Sequence, residues 1–413
     1  MSSMLLLPLL LRLASGLVPG ASPSFDSTAV LDHGEPAPQD HWGSCDPLPG
    51  LPERPWASLL AEDDQAFIFA AHRRLHPELY GATSAPSPGS RLPGEFEPAS
   101  TLLLSFVPYP EYFDAYGQII EHASHHGQVQ VLHHPEHRAE LDELIDARAA
   151  REEAIDLVDG VPFESPWIRD YGPTTVVTGD EQSFIDSAYF VNCPDADALP
   201  SRVAGRGRGT TVHRHGLFLE GGNLLSNGGG LCLTATTVAR ANGLTRQETA
   251  ELLRTYYGCA RTEFLLPMVG DVVDHVDMFA AFADHDVVLV GQYRPDQDPT
   301  NAIVLDVNAA ILAATEAPGG GPLRIVRVPM PDHAEALEAG ESPVPRSYLN
   351  LTPFNGVVLV PVYETDRIVE SEALAVIMQA FPDREVVPVI ADSPALDGGA
   401  VHCLTSTLPR AGG

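Results

Sequence analysis

Of the five cysteines in this 413-residue chain, Cys403 is the one set in a distinctive context, Asp397-Gly398-Gly399-Ala400-Val401-His402-Cys403. Glycine tolerates backbone conformations and close approaches that a Cβ resists, so a Gly-Gly step just before a cysteine suits a sulfur presented on the floor of a cleft. A lone free cysteine more commonly packs as a small hydrophobe. Two further stretches argue against that reading here: Trp167-Ile168-Arg169-Asp170-Tyr171-Gly172-Pro173 and His275-Val276-Asp277. Together the three supply a nucleophile, two carboxylates and an imidazole. Asp170 precedes a Gly-Pro pair and reads as a carboxylate presented where a strand ends in a turn. His275 and Asp277 lie two apart, a spacing that on a strand aims both side chains at one face. With Asp271 and Asp274 close by, a metal site is the alternative, but no further His or Cys set stands at ligand spacing, and no metal is expected. His133, His134 and His137 do not share one clean face and read as a solvated turn.

The elements that must position these residues begin late. Residues 1–93 form an N-terminal extension rich in Pro, Ser and Gly, with one helix expected over 57–75. From residue 94 to 409, short strands alternate with helices. The strand Thr101–Val107 is followed by a helix near Glu111–His125, the strand Gln128–Leu132 and an acidic helix near Ala139–Ala150. Later units carry helices near Thr245–Tyr257, Asn301–Ala314 and Glu370–Ala380, and His275–Phe282 reads as a strand paired with Val287–Gly291. Alternation of this kind fits an open doubly wound sheet, which the pattern alone slightly favours, and it fits equally a set of repeated supersecondary units. Gly205-Arg206-Gly207-Arg208-Gly209 and Gly228-Gly229-Gly230 lack the strand-turn-helix frame of a phosphate loop and read as loops or hairpin turns.

Charge narrows the partners. The chain has 24 Lys+Arg against 56 Asp+Glu, a formal charge of -32, which argues against nucleic acid and toward solubility or a cationic ligand. No run is long enough to span a bilayer as a helix. The apolar stretch Met4–Leu11 holds Arg12 at its end instead of basic residues ahead of it, a poor signal segment, so cytoplasmic and secreted or periplasmic locations both stay open. Five scattered cysteines make no dense disulfide framework, although export would allow Cys45, Cys193, Cys232 and Cys259 to pair.

Six motifs in order make the resemblance specific. Glu95-Phe96-Glu97-Pro98, Trp167 to Pro173, Glu220-Gly221-Gly222-Asn223, His275-Val276-Asp277-Met278, Ser347-Tyr348-Leu349-Asn350 and the Gly-Gly-X-X-His-Cys segment at 398–403 resemble the agmatine deiminase and bacterial, porphyromonad-type peptidylarginine deiminase family of the pentein superfamily. The resemblance covers 94–409. It implies an α/β propeller of five ββαβ units around a pseudo-fivefold axis, with the site in the central channel, and this displaces the open sheet.

By motif position, the resemblance also implies Cys403 as nucleophile, His275 as general acid/base, Asp170 and Asp277 as guanidinium-binding carboxylates, and Trp167 and Asn355 as further substrate-binding residues. Glu220 to Asn223 are expected to shape the channel. The chemistry is consistent with these roles. A guanidinium is a delocalised cation with a poorly electrophilic carbon, and carboxylates along its edges can hold that carbon over a sulfur. No cofactor is implied.

Agmatine leads as substrate because Tyr189 to Asp197 holds acids and no arginine to receive a terminal carboxylate; Asp195 or Asp197 could face an amine such as that of agmatine, but both read rather as exposed loop acids. An arginine-containing peptide follows closely. Amidinotransferases, other guanidine hydrolases and a non-catalytic binding pentein are the rivals, and a homo-oligomer is left open.

Overall fold

The computed structural model describes residues 81–410 apart from 190–196, 198, 201–202, 204–209, 272, 319, 333–344 and 365–366, together with Arg73, Arg74, Pro77 and Tyr80. The expected helix over 57–75 and Asp195 thus lie outside the described residues, save Arg73 and Arg74 of that helix.

Among the described residues, five separate sheets carry the fold, and they share one pattern. β4 (Thr174–Thr178) pairs antiparallel with β5 (Glu181–Ala188), which pairs parallel with β6 (Thr211–Phe218). β7 (Leu225–Ser226), β8 (Leu231–Ala235) and β9 (Arg261–Leu265) repeat this order. So do β10 (Ala280–Asp284), β11 (Val287–Gln292) and β12 (Arg324–Pro329). β13 (Thr352–Phe354), β14 (Val357–Val362) and β15 (Glu385–Ile390) do so again. In the remaining sheet the antiparallel partner comes from the far end of the chain: β16 (Ser406–Pro409) pairs with β1 (Ala99–Ser105), which runs parallel to β2 (Gln128–Leu132), with β3 (Ile155–Val158) added outside.

A parallel pair needs a crossover, and helices supply it. α1 (Phe113–Ser124) links β1 to β2, and α2 (Arg138–Asp146) leads to β3. α3 (Ile168–Tyr171) is a single turn ahead of β4. α4 (Thr236–Ala241) and α5 (Arg246–Tyr257) link β8 to β9, α6 (Pro299–Ala313) links β11 to β12, and α7 (Arg367–Ala380) links β14 to β15, ahead of the short α8 (Asp392–Leu396).

Local sequence explains these boundaries. In α1 the buried Ala115, Tyr116, Ile119, Ile120 and Ala123 make one helical stripe. α5 opens on a capping box between Thr245 and Glu248 and stops at Gly258, whose φ of 71° suits a residue without Cβ. Asp298 caps α6 with Pro299 in its first turn. β14, Val-Val-Leu-Val-Pro-Val, is buried along its whole length, as a strand covered on both faces must be.

Residues from β1, β4, β7, β10, β13 and β16 line one shared cavity, so the outer antiparallel strand of every sheet faces it. Glu95, Glu97, Arg169, Asp277 and His402 also border it.

Three expectations need correction. His275 and Asp277 are not on a strand: Val276–Met278 is a 3-10 turn, and β10 begins at Ala280. Asp170 ends no strand either; it sits in the single helical turn α3, which Gly172 closes by donating its N–H to Ile168 O at 2.8 Å. His133 is buried rather than solvated, beside the 3-10 turn Pro135–His137. The triple glycine 228–230 is indeed the hairpin between β7 and β8, while 205–209 lies outside the described residues.

Candidate active site

Cys403 is the free thiol among the described residues and is only 3% exposed. Its segment folds around one side chain from another unit. Asn350 Oδ1 accepts the backbone N–H groups of Ala400, His402 and Cys403 at 3.0, 3.1 and 3.4 Å, while Asn350 Nδ2 donates to Cys403 Sγ at 3.2 Å. A single amide therefore shapes the loop and marks its sulfur. Gly398, at φ 90°, starts the bend, and a Cβ on Gly399 would stand 2.5 Å from the ring of Trp167. Trp167 thus packs against the backbone that leads to Cys403. From α3, Arg169 donates its backbone N–H to Cys403 O at 3.3 Å.

His275 is fully buried. Its Nε2 lies 2.8 Å from Glu220 Oε2, so Nδ1 is the atom left for chemistry. Nδ1 makes no hydrogen bond and stands 3.6 Å from Asp170 Oδ1. The turn that delivers the ring is held by Asp271, whose carboxylate accepts the N–H groups of Val273 and His275, each at 3.1 Å. Gly222 gives the space its shape: a Cβ there would sit 2.6 Å from His275 Nδ1, 2.8 Å from Asp277 Oδ2 and 3.0 Å from Asp170 Oδ1. Only glycine leaves that point open, and it is a point from which an acid, an imidazole and a second acid are all within reach.

Asp277 closes the group. Its Oδ2 lies 3.8 Å from Cys403 Sγ and 2.7 Å from His402 Nδ1, while its Oδ1 is buried without a hydrogen-bond partner. His402 Nε2 reaches Glu95 Oε2 at 2.6 Å, and Glu95 pairs with Arg169.

The electrostatics follow from this crowding of acids. Burial opposes charging the His275 ring, but Asp170, Glu220 and Asp277 outweigh it and raise its pKa to about 10. Burial pushes the Cys403 thiol well above its ordinary value, and the charges of Asp277 and Asp170 add to that. The ligand-free site therefore holds a protonated imidazole and a neutral thiol. A cation placed between Asp170 and Asp277 reverses the second of these, because it neutralises the charges that hold the proton on sulfur. Asp170, Glu220 and His275 also lie close enough together to hold a divalent ion.

The structure thus brings Cys403, His275, Asp170 and Asp277 together, with Trp167 against the same loop. It does not bring Asn355. That residue forms the β13–β14 hairpin turn at φ 50°, and its amide is spent on Ala99 N (2.9 Å) and His126 O (3.0 Å). The asparagine at the site is Asn350, five positions earlier. Asp197 is not an exposed loop acid: it is 5% exposed and accepts the Tyr189 N–H at 2.7 Å, and burial lifts its pKa to about 7. Glu220 does more than shape a channel, since it is the hydrogen-bond partner of the His275 imidazole. Asn350, His402, Glu95 and Arg169 were not singled out for roles; their signal was their place inside motifs already quoted.

Comparison with known proteins bears on the family and the fold. A putative agmatine deiminase of Streptomyces avermitilis is 28% identical over 285 residues, 64% of this chain and 80% of that protein. The agmatine deiminase of Pseudomonas aeruginosa is 24% identical over 79% of this chain and 98% of its own. Among solved structures, a putative arginine deiminase from Porphyromonas gingivalis superposes with a TM-score of 0.68 at 24% identity, covering 78% of this chain and 99% of that one. The agmatine deiminase of Enterococcus faecalis gives 0.66 at 22% identity, covering 79% and 98%. These likenesses establish the fold. Residues 91–409 match the Porphyromonas-type peptidyl-arginine deiminase family, and the chain belongs to that family.

Proposed function

We propose that the protein is a guanidine deiminase that hydrolyses agmatine to N-carbamoylputrescine and ammonia, a step toward putrescine, through a covalent intermediate on Cys403. The observation that carries this reading is the point beside Gly222, which Asp170, Asp277 and His275 Nδ1 all face, with Cys403 Sγ 3.8 Å from Asp277. Unpartnered Asp277 Oδ1 calls for a ligand with donors and positive charge, which a planar guanidinium supplies, and the unpartnered Nδ1–H of protonated His275 can give its proton to one of that ligand's nitrogens.

In the reaction, Asp170 and Asp277 grip the N–H edges and set the central carbon over the sulfur. The Cys403 thiolate attacks that carbon and forms a tetrahedral adduct. His275 donates its Nδ1 proton to one nitrogen, the C–N bond breaks and ammonia leaves. A thiouronium remains on Cys403. His275, now neutral, takes a proton from water as the oxygen adds to the same carbon, and collapse expels the sulfur, which takes the remaining hydroxyl proton and becomes a thiol again as the neutral ureido product leaves. Glu220, on Nε2, holds the ring with Nδ1 toward the substrate throughout.

The five sheets with one strand pattern, whose outer strands share a single cavity, support the finer architecture proposed with this function: five ββαβ units around a pseudo-fivefold axis, the first unit completed by β16. Agmatine is favoured by the formal charge of -32, which draws in a dication, and by the names of the relatives above.

One observation favours a peptide substrate instead. Cys232 and Cys259 form a disulfide, a feature of oxidising compartments where extended arginine-containing chains would be met. Steady-state ammonia release from agmatine, free arginine and peptides with internal or terminal arginine separates the readings. Agmatine should be turned over with the highest kcat/KM. A higher value for a peptide would move the assignment to peptidyl-arginine, and no release from any guanidine would end it. A chelator in the agmatine assay should leave the rate unchanged, against metal-dependent hydrolysis at Asp170, Glu220 and His275.

A further inference from the structure

The deiminase chemistry proposed above puts negative charge on one sulfur twice, and the groups around that sulfur pull in opposite directions. Burial disfavours an ionised Cys403, and so do Asp277 and Asp170. Two N–H groups favour it, one from the Ala400 backbone and one from the Asn350 side chain. Asn350 is fully buried, lies just ahead of β13, and has no part in the steps given so far.

Its surroundings fix which way the amide points. An amide oxygen accepts and an amide nitrogen donates. The backbone N–H groups of Ala400, His402 and Cys403 converge on one end, so that end is Oδ1. The other end is therefore Nδ2, and it meets two sulfurs, Cys403 Sγ at 3.2 Å and Met278 Sδ at 3.5 Å. Cys403 directs its own S–H toward Asp277 Oδ2 at 3.8 Å, which leaves a sulfur lone pair to receive the amide N–H. The main chain is tied down as well. Asn350 O accepts the His402 N–H at 3.0 Å, and Ser347 in the same segment exchanges hydrogen bonds with the Tyr363 hydroxyl at 3.2 and 2.9 Å. A donor held this firmly in a dry place need not reorganise when charge develops beside it.

We propose that Asn350 is a further catalytic residue of this site, resting on the deiminase reading: its Nδ2 N–H stabilises the Cys403 sulfur whenever that atom is anionic, as nucleophile and again as leaving group. In the attack, an electron pair of the thiolate forms the S–C bond and the sulfur loses its charge. In the hydrolytic collapse, the S–C bond breaks, the pair returns to sulfur, and the charge stays there until the hydroxyl proton arrives. Both transition states carry part of this charge, so both gain relative to the neutral resting thiol. The hydrogen bond to sulfur becomes charge-assisted as the charge appears and weakens as it goes. The amide proton stays on Nδ2 throughout. Its other end, Oδ1, holds the loop so that the sulfur cannot turn away from the donor.

The test separates the two ends of the amide. Asn350→Asp keeps an oxygen for the three backbone N–H groups, which hold the new carboxyl in its ionised form, but it puts a second oxygen where the donor on sulfur was. In the full chain its kcat for agmatine should fall about 10²-fold. Chloroacetamidine alkylates sulfur by forming an S–C bond and expelling chloride, and its cationic amidinium takes the substrate's place between the two acids. The pH at which this alkylation levels off should rise by about one unit or more in Asn350→Asp, and thiolate absorbance, read against Cys403→Ser, should shift with it. Asn308→Asp is the control, because Asn308 is equally buried and spends both ends of its amide on Leu266, at 2.9 and 2.8 Å. Its turnover and both pH readouts should match wild type. A slower Asn350→Asp with an unmoved pH profile would mean that the amide only shapes the loop, and would overturn the donor role. Wild-type turnover in Asn350→Asp, or an equal shift in Asn308→Asp, would overturn it too. Should Asn350→Asp fail to fold, Asn350→Ala, which removes the donor and adds no charge, should move the thiolate absorbance in the same direction, and an unmoved titration there would count against the proposal. A wild type that releases no ammonia from any guanidine would instead sink the deiminase reading, while thiolate absorbance would still decide whether Asn350 stabilises the sulfur, so the two failures are distinguishable.

Discussion

The two sides of Asp277 are built differently. On the side of Cys403, polar atoms are buried and idle: His275 Nδ1 and Asp277 Oδ1 have no hydrogen-bond partner, and Gly222 keeps open the space bounded by His275 Nδ1, Asp277 Oδ2 and Asp170 Oδ1. On the side of His402 the groups are saturated, with both ring nitrogens bonded at 2.7 and 2.6 Å and Glu95 paired to Arg169. Buried polar atoms are costly to leave alone, so a native fold that leaves His275 Nδ1 facing this gap has reserved it for a polar ligand. A paired side needs no ligand. The contrast separates the part of the molecule that awaits substrate from the part that holds the machinery in place.

The contrast can be broken in several ways. The largest effect is expected for Cys403→Ser, which should lower agmatine turnover at least about 10³-fold while the unfolding midpoint stays near wild type; a rate close to wild type would refute covalent catalysis. Asp170→Asn removes one charged clamp and should reduce kcat/KM about 10²-fold or more, read by ammonia release.

Glu220→Gln tests the electrostatics. With one of its carboxylates gone, the His275 pKa falls, so the limb of the kcat/KM profile that requires protonated His275 should move to lower pH. A profile that does not move would show that Glu220 does not charge this ring. Alkylation of the resting thiol by iodoacetamide should be slow at neutral pH and rise only above the usual cysteine range, because the proton is held on sulfur by burial and two acids. The smallest effect on turnover belongs to Asn355→Gly, which removes two hydrogen bonds at a left-handed turn: kcat and KM should not change, and stability should fall by about 1–2 kcal/mol in denaturant unfolding. A raised KM there would return Asn355 to the substrate.

Much of this arrangement was legible before any coordinates, because strong motifs name residue types. Cys403, His275, Asp170 and Asp277 could be picked out by chemistry. Helix ends were also readable, as at Thr245, Gly258 and Asp298, where side-chain caps and a left-handed glycine write the boundary locally. What could not be read was anything decided across distance. Asn350 and Asn355 lie five residues apart in similar company, and only the packing of the 400–403 loop onto one and of Ala99 onto the other tells them apart. The turn Val276–Met278 passed for a strand because a spacing of two residues is shared by an extended chain and a tight turn that happens to place both groups inward. Asp197 looked exposed because aspartate generally is; its burial depends on the Tyr189 backbone that it caps.

Consider finally β16. It lies almost at the end of the chain, yet Leu102 in the first strand pairs with Thr407. The sulfur sits three residues before that last strand. During synthesis the opening sheet must wait with one edge bare until the four other sheets have been made, and the same late arrival that covers the edge also delivers Cys403. A growing polypeptide therefore lacks its sulfur until the segment that closes its opening sheet has emerged.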